Sequence, residues 1–182
     1  PIQGEGGVRP LPPATVEAVN AACRETGTLF IADEVQTGLG RTGRPFYFQA
    51  LGLNPDLVSV GKALGGGVPI GACLCSERVA AAISPGDHGT TYGGNLLACR
   101  AAVFFLQQLM EGGLIDRVNQ MAFEFERRLR TLALRHPLVV EVRGAGLMRG
   151  LELRVDAAPV IDTAREHGLL VNRTDEKVVR ML

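Results

Sequence analysis

The sequence predicts an α/β fold: part of a mostly parallel sheet with its helices over the first half, followed by a smaller α+β unit. Three observations carry this. Short apolar, β-branched runs at Leu29–Ala32, Leu57–Val60 and Gly71–Cys75 alternate with helical stretches and glycine-rich loops. A long amphipathic stretch from Leu114 to Leu134 sets Leu114, Val118, Met121, Phe125, Leu129 and Leu132 on one helical stripe. After Pro137 the pattern shortens into small strands and one helix. The division falls between residues 1–108 and 109–182.

Taken in order, residues 1–13 form a Gly/Pro-rich loop, and Thr15 to Arg24 reads as a helix with Thr15 as its cap and Gly27 as its stop. The strand Leu29–Ala32 runs into Asp33, Glu34, Val35 and Gln36, and a glycine-rich loop covers Thr37 to Pro45. The strands at Leu57–Val60 and Gly71–Cys75 follow, then a helix from Glu77 to Ile83. Ser84 to Asn95 has no apolar period and is rich in chain breakers, so it is a loop. An apolar helix spans Leu97 to Met110 ahead of the long amphipathic one. Beyond Pro137 come strands Val139–Arg143 and Leu147–Leu153 around a Gly-x-Gly turn, a helix Ala158–Glu166 capped by Gly168, and strands Leu169–Val171 and Val178–Leu182.

Composition bounds the function classes. With 46% hydrophobic and 21% charged residues and a net charge of zero, no electrostatic footprint points to nucleic acid or to an anionic membrane. No apolar run is long enough to span a bilayer, and no basic-then-apolar leader opens the chain. Cys23, Cys73, Cys75 and Cys99 form no CxxC pair, and Cys73 and Cys75 point the same way from one strand, which suits packing better than a disulfide framework. A reducing cytoplasm is the simplest setting. The chain starts at Pro1 inside motif-like sequence and stops at Leu182 directly after an apolar run, so it reads as an internal fragment of a longer protein.

The chemistry centres on Lys62. Of 19 basic residues 17 are arginine, and the only other lysine is Lys177. Arginine keeps its proton in any protein site, whereas a desolvated lysine can release it and act as a nucleophile. Lys62 follows a compact apolar strand and sits between Gly61 and the run Gly65–Gly67, although a lysine snorkelling from a strand end has the same surroundings. Asp33 ends an earlier strand of the same sheet, at the edge where such sheets open onto ligands. The acid and the amine can form an ion pair, or they can flank a cofactor that needs one end protonated and the other bonded to an amine. Other motifs fail. Gly61-Lys62 lacks the upstream glycine and the following Ser or Thr of a phosphate loop. GLGRTG follows no strand directly, His88, His136 and His167 have no ligand spacing, and Ser59 and Ser84 have no elbow context for acyl transfer.

The segments PIQGEGG, FIADEVQTGLGRTG, VGKALGGGVPIGA, HGTTYGGN, VRGAGLMRGLEL and VVRML resemble, in order and spacing, the C-terminal half of the class III (fold type I) pyridoxal-phosphate-dependent aminotransferases. The resemblance covers essentially the whole chain. It implies that residues 1–108 are the C-terminal part of the cofactor-binding large domain, and that 109–182 are the small C-terminal domain, truncated at its end. It further implies pyridoxal 5'-phosphate as cofactor, Lys62 as the covalent attachment point and proton carrier, Asp33 as the partner of the pyridine nitrogen, Val35 on the ring face and Gln36 near the ring hydroxyl. Thr91 would reach the phosphate of a neighbouring subunit's cofactor in a homodimer with shared sites, Arg180 would grip a substrate carboxylate, and Glu5 would pair with Arg180 when no dicarboxylate is bound. Family members usually carry proline where this chain has Leu96. The implied reaction is transamination of acetylornithine with 2-oxoglutarate, a step of arginine biosynthesis. Ornithine, succinylornithine and 4-aminobutyrate are alternative substrates, and a non-catalytic fragment lacking the first half of the site is the alternative of another class.

Overall fold

The computed structural model describes residues 1–182, which divide into two compact units. The first holds Pro12–Gly40 and Arg44–Ile115; the second holds Ile2–Leu11, Arg41–Gly43 and Asp116–Leu182. The architecture is mixed α/β, and none of its helices is long and apolar enough to cross a membrane.

In the first unit, helix α1 (Pro13–Thr26) begins with a proline in its first turn after Pro12, and ends on Gly27 at φ 70. The expected cap at Thr15 is therefore displaced. Proline's fixed φ already suits a helix start, and its missing N–H costs nothing there. Strands β3 (Ile31–Asp33), β4 (Leu57–Val60) and β5 (Ala72–Cys75) form a sheet in that order. β3 and β4 run parallel as expected, but β5 lies antiparallel to β4, so this part of the sheet is mixed. One face carries Ala32, Val58 and Val60 into a core shared with Leu39, Leu64, Ala102 and Leu109. On the other face, where Ile31, Asp33, Cys73 and Cys75 project, both thiols are exposed rather than packed. Helix α2 (Glu77–Ala80) is a single turn, shorter than its sequence suggests. Helix α3 (Leu96–Met110) starts one residue early because Asn95 caps it, its side chain accepting from Ala98 N at 2.9 Å. Leu96 occupies the first helical position, where proline and leucine are both compatible with the backbone.

The second unit contains a short hairpin of β1 (Ile2–Gln3) and β2 (Arg9–Pro10). Its main sheet is antiparallel, in the order β6 (Val139–Ala145), β7 (Met148–Leu153), β9 (Val178–Met181), β8 (Asn172–Asp175). Helix α4 (Leu114–Arg135), whose first two residues belong to the first unit, and helix α5 (Ala158–Glu166) complete the elements. Leu129, Leu151, Leu153, Ala157 and Val179 form its core with Phe125, Val142 and Ile161 against them. Along α4 the buried positions are Val118, Ala122 and Leu129, while Met121 and Leu132 of the expected stripe are exposed. The polar side of α4 is laced by ion pairs. Hydrogen bonds from Arg127 and Arg128 pull the Glu124 carboxyl down to about 2. Leu169 to Val171 is not a strand; the edge strand β8 is the polar segment that follows it.

Candidate active site

In the first unit, the C-terminal end of the parallel pair β3–β4 gathers the chemistry. Asp33 is the last residue of β3 and stands opposite Ser59 of β4. Its Oδ1 accepts from Val35 N at 3.0 Å and from Ser59 Oγ at 3.1 Å, while Oδ2 takes no hydrogen bond. The carboxylate is thus fixed by one oxygen and presents the other. Beyond β4 the chain turns through buried Gly61 into a short 3-10 helix, Lys62–Gly65, anchored by Leu64 in the core with Ala102 and Leu109 of α3. Lys62 holds φ 44. A left-handed backbone costs a side-chain-bearing residue about 1–2 kcal/mol, so the surrounding packing imposes it. The Lys62 amine is exposed and forms neither a hydrogen bond nor an ion pair. Val35 closes on the same turn: a methyl at Gly61 would stand 3.6 Å from Val35 Cγ1. Gln36 follows, half-buried.

Two residues that sequence reasoning missed hold this end together. Ser59, set aside for want of a nucleophile context, clamps Asp33. Glu34 is fully buried. Its Oε2 accepts from Thr37 Oγ1 at 2.5 Å and its Oε1 from Phe48 N at 2.7 Å, tying the glycine-rich loop to the end of β3. An acid inside the apolar run FIADEV was the available signal, since a buried charge requires partners.

Thr91 lies in the exposed 84–95 loop, with its hydroxyl unbonded and no link to Asp33 or Lys62. Neighbouring bonds shape that loop: Thr90 Oγ1 accepts from Gly93 N at 3.2 Å, and Asn95 Nδ2 donates to Tyr92 O at 3.2 Å. In the second unit Glu5 and Arg180 meet, Arg180 Nη1 donating to Glu5 Oε1 at 2.6 Å. The Arg180 side chain is 10% exposed and that of Glu5 72%, and Arg180 Nε is buried without a partner.

The sequence profile of the family Aminotransferase class-III matches residues 1–182. The chain belongs to that family. It is 47% identical over 182 residues to the acetylornithine aminotransferase of Methanothermobacter thermautotrophicus, covering 100% of this chain and 47% of the relative. It is 46% identical to the enzyme of the same name from Myxococcus xanthus, over 98% of this chain and 45% of that one. Among solved structures, the ornithine aminotransferase of Toxoplasma gondii ME49 superposes with a TM-score of 0.92 at 38% identity, over 100% of this chain and 44% of that one. The N-acetylornithine aminotransferase of Stenotrophomonas maltophilia K279a gives 0.88 at 34% identity, over 100% and 48%. The chain has the fold type I architecture expected from the motifs, and it spans about half the length of the curated relatives it matches.

Proposed function

We propose that the complete enzyme is a pyridoxal-phosphate-dependent acetylornithine aminotransferase, passing the side-chain amino group of acetylornithine to 2-oxoglutarate and yielding N-acetylglutamate semialdehyde and glutamate. The observation that carries this is an unpaired lysine amine in a strained turn, at the same sheet end as a carboxylate with one oxygen uncommitted. These groups fit the cofactor: the uncommitted Oδ2 of Asp33 suits a protonated ring nitrogen, and Val35 beside side-chain-free Gly61 suits a flat ring. When bound, the cofactor supplies the electron sink that makes the substrate's amino-bearing carbon acidic. Lys62 would hold the cofactor covalently, and its amine would carry the proton at the substrate's amino-bearing carbon. Asp33 keeps the ring nitrogen protonated, Val35 packs on the ring and Gln36 lies near its hydroxyl. Arg180 grips the carboxylate of glutamate or 2-oxoglutarate as a planar fork, and Glu5 covers Arg180 when the other substrate enters.

The names of several curated relatives support acetylornithine; the ornithine aminotransferases among the solved structures favour ornithine as the second reading. Glutamate release from 2-oxoglutarate separates them. Acetylornithine is expected to give a kcat/KM at least about tenfold above that for ornithine, because an unacylated α-amine brings a second charge to be desolvated. Equal or inverted values would move the assignment to ornithine.

Thr91 is assigned to the phosphate of the cofactor bound by a second copy, in a homodimer with shared sites; the exposure of the loop and the unbonded Thr91 hydroxyl support this. Lys62→Ala and Thr91→Ala enzymes, each inactive alone, should regain activity on mixing, because one site of the mixed dimer then has both residues. No recovery under conditions that exchange subunits would show that both residues serve the same subunit's site.

A further inference from the structure

The hairpin loop that carries Glu5 sits over the small-unit sheet in a way the substrate-switching reading does not require. Arg143 on β6, Gly150 on β7 and Arg180 on β9 are register partners in one lateral row: Arg143 opposes Gly150, and Gly150 opposes Arg180. Neighbouring strands are about 5 Å apart, so two guanidinium-bearing residues flank a glycine, roughly 10 Å from one another. The loop between β1 and β2 bridges them. Over Gly150 lies Val8, fully buried, so close that a methyl on Gly150 would stand 3.0 Å from Val8 Cβ. At one end Arg180 donates to Glu5, and at the other Arg143 Nε donates to Gly7 O at 2.8 Å. The Arg143 side chain, 7% exposed, is held in turn by Glu141 at 2.7 Å and by Glu152.

The loop backbone is strained where it is pinned. Gly7 has φ 93, which glycine tolerates, but Val8 has φ 54. A β-branched residue in the left-handed region is a genuine outlier, and such strain persists only where surrounding contacts over-determine it. The contacts here are the Arg143 bond on one side of the Gly7–Val8 peptide and the Gly150 seat on the other.

We propose that Arg143, Val8 and Gly150 are positioning residues that preorganise Glu5 against Arg180, setting how strongly Glu5 competes with a dicarboxylate for that guanidinium. The proposal rests on the reading of Glu5 and Arg180 as a substrate switch. Anchoring the backbone two residues from Glu5 leaves only side-chain freedom to be lost when Glu5 pairs with Arg180. Loosening the anchor adds backbone disorder to that loss, weakens the pair and leaves Arg180 more available.

Glutarate, a dicarboxylate with no amino or keto group to react, is the probe, titrated calorimetrically into the complete, cofactor-loaded enzyme. Two variants loosen the anchor. Arg143→Lys retains the charge facing Glu141 and Glu152 but has its only nitrogen at the tip of the side chain, losing the donor that serves Gly7. Val8→Gly relieves the left-handed strain without touching any charge. Each is expected to tighten glutarate about three- to tenfold, the range of one hydrogen bond, and to lower the acetylornithine half-reaction relative to the glutamate half-reaction. In a Glu5→Gln background neither should tighten glutarate further. A purely structural role would weaken or leave unchanged glutarate binding in both variants, and that result overturns the proposal. If Glu5→Gln tightens glutarate while Arg143→Lys and Val8→Gly do not, the switch stands and the positioning role falls. If Glu5→Gln itself has no effect, the switch falls and the positioning role with it.

Discussion

Lys62→Arg in the complete enzyme is expected to lower turnover by about four orders of magnitude, the upper range for loss of a positioned proton-transfer group, with no loss of folding. The substitution is conservative in every respect except the one that matters. Arginine keeps the charge and the long stem, and because Lys62 is exposed and makes no hydrogen bond or ion pair, the packing around it has nothing to lose. The left-handed backbone at φ 44 costs arginine about what it costs lysine. A guanidinium, however, holds its proton at every accessible pH, so it can neither attack a carbonyl carbon nor relay a proton. Thermal stability should therefore stay within about 0.5 kcal/mol of the parent, the usual range for an exposed site. Borohydride reduction followed by peptide mapping supplies the independent readout: the cofactor should be fixed on the peptide containing Lys62 in the parent and on none in the variant. Label on Lys177, or retained turnover in Lys62→Arg, would remove Lys62 from the role.

How much of this was legible in the sequence depends on whether the signal was local. The strands before Asp33 and Lys62 could be read because apolar β-branched runs bounded by glycine have few other solutions. The direction of β5 could not, since residues 72–75 read the same whichever way they pair; only pairing with Leu57–Val60 fixes it. Register is equally invisible. It puts Ser59 beside Asp33 and lines up Arg143, Gly150 and Arg180, although these residues are far apart in the chain. On α4 the large side chains Met121 and Leu132 drew the expected stripe, yet small Ala122 is a buried position, because close packing rewards fit more than size. The apolar triplet Leu169–Val171 suggested a strand, but the pairing with β9 goes to the polar residues after it, whose edge position leaves one side of β8 unpaired. The left-handed φ of Val8 contradicts its residue type, and no sequence rule for valine would give it.

Asp33→Asn is expected to reduce kcat/KM by roughly two to three orders of magnitude, comparable to removing a preorganised electrostatic partner from an active site. The hydrogen-bond pattern sharpens this expectation. Oδ1 of Asp33 accepts from Val35 N and Ser59 Oγ, and the Val35 N–H, which can only donate, requires an oxygen there. An asparagine that satisfies it has to turn its amide oxygen toward β4 and its amide nitrogen to the place of the uncommitted Oδ2. The variant would therefore keep its fold and both local bonds, while presenting an N–H group where an acceptor is needed. A protonated ring nitrogen facing that N–H loses both its counter-charge and its acceptor, and should give up its proton. Ser59→Ala provides the control. It frees one lone pair of Oδ1 but leaves the carboxylate charge, so its loss should stay at about tenfold, the lower end of the worth of one hydrogen bond to a charged group. An Asp33→Asn enzyme with near-parental kcat/KM would show that the carboxylate serves the β3–β4 end structurally. A Ser59→Ala enzyme as impaired as Asp33→Asn would show that the orientation of the carboxylate, rather than its charge, limits the reaction.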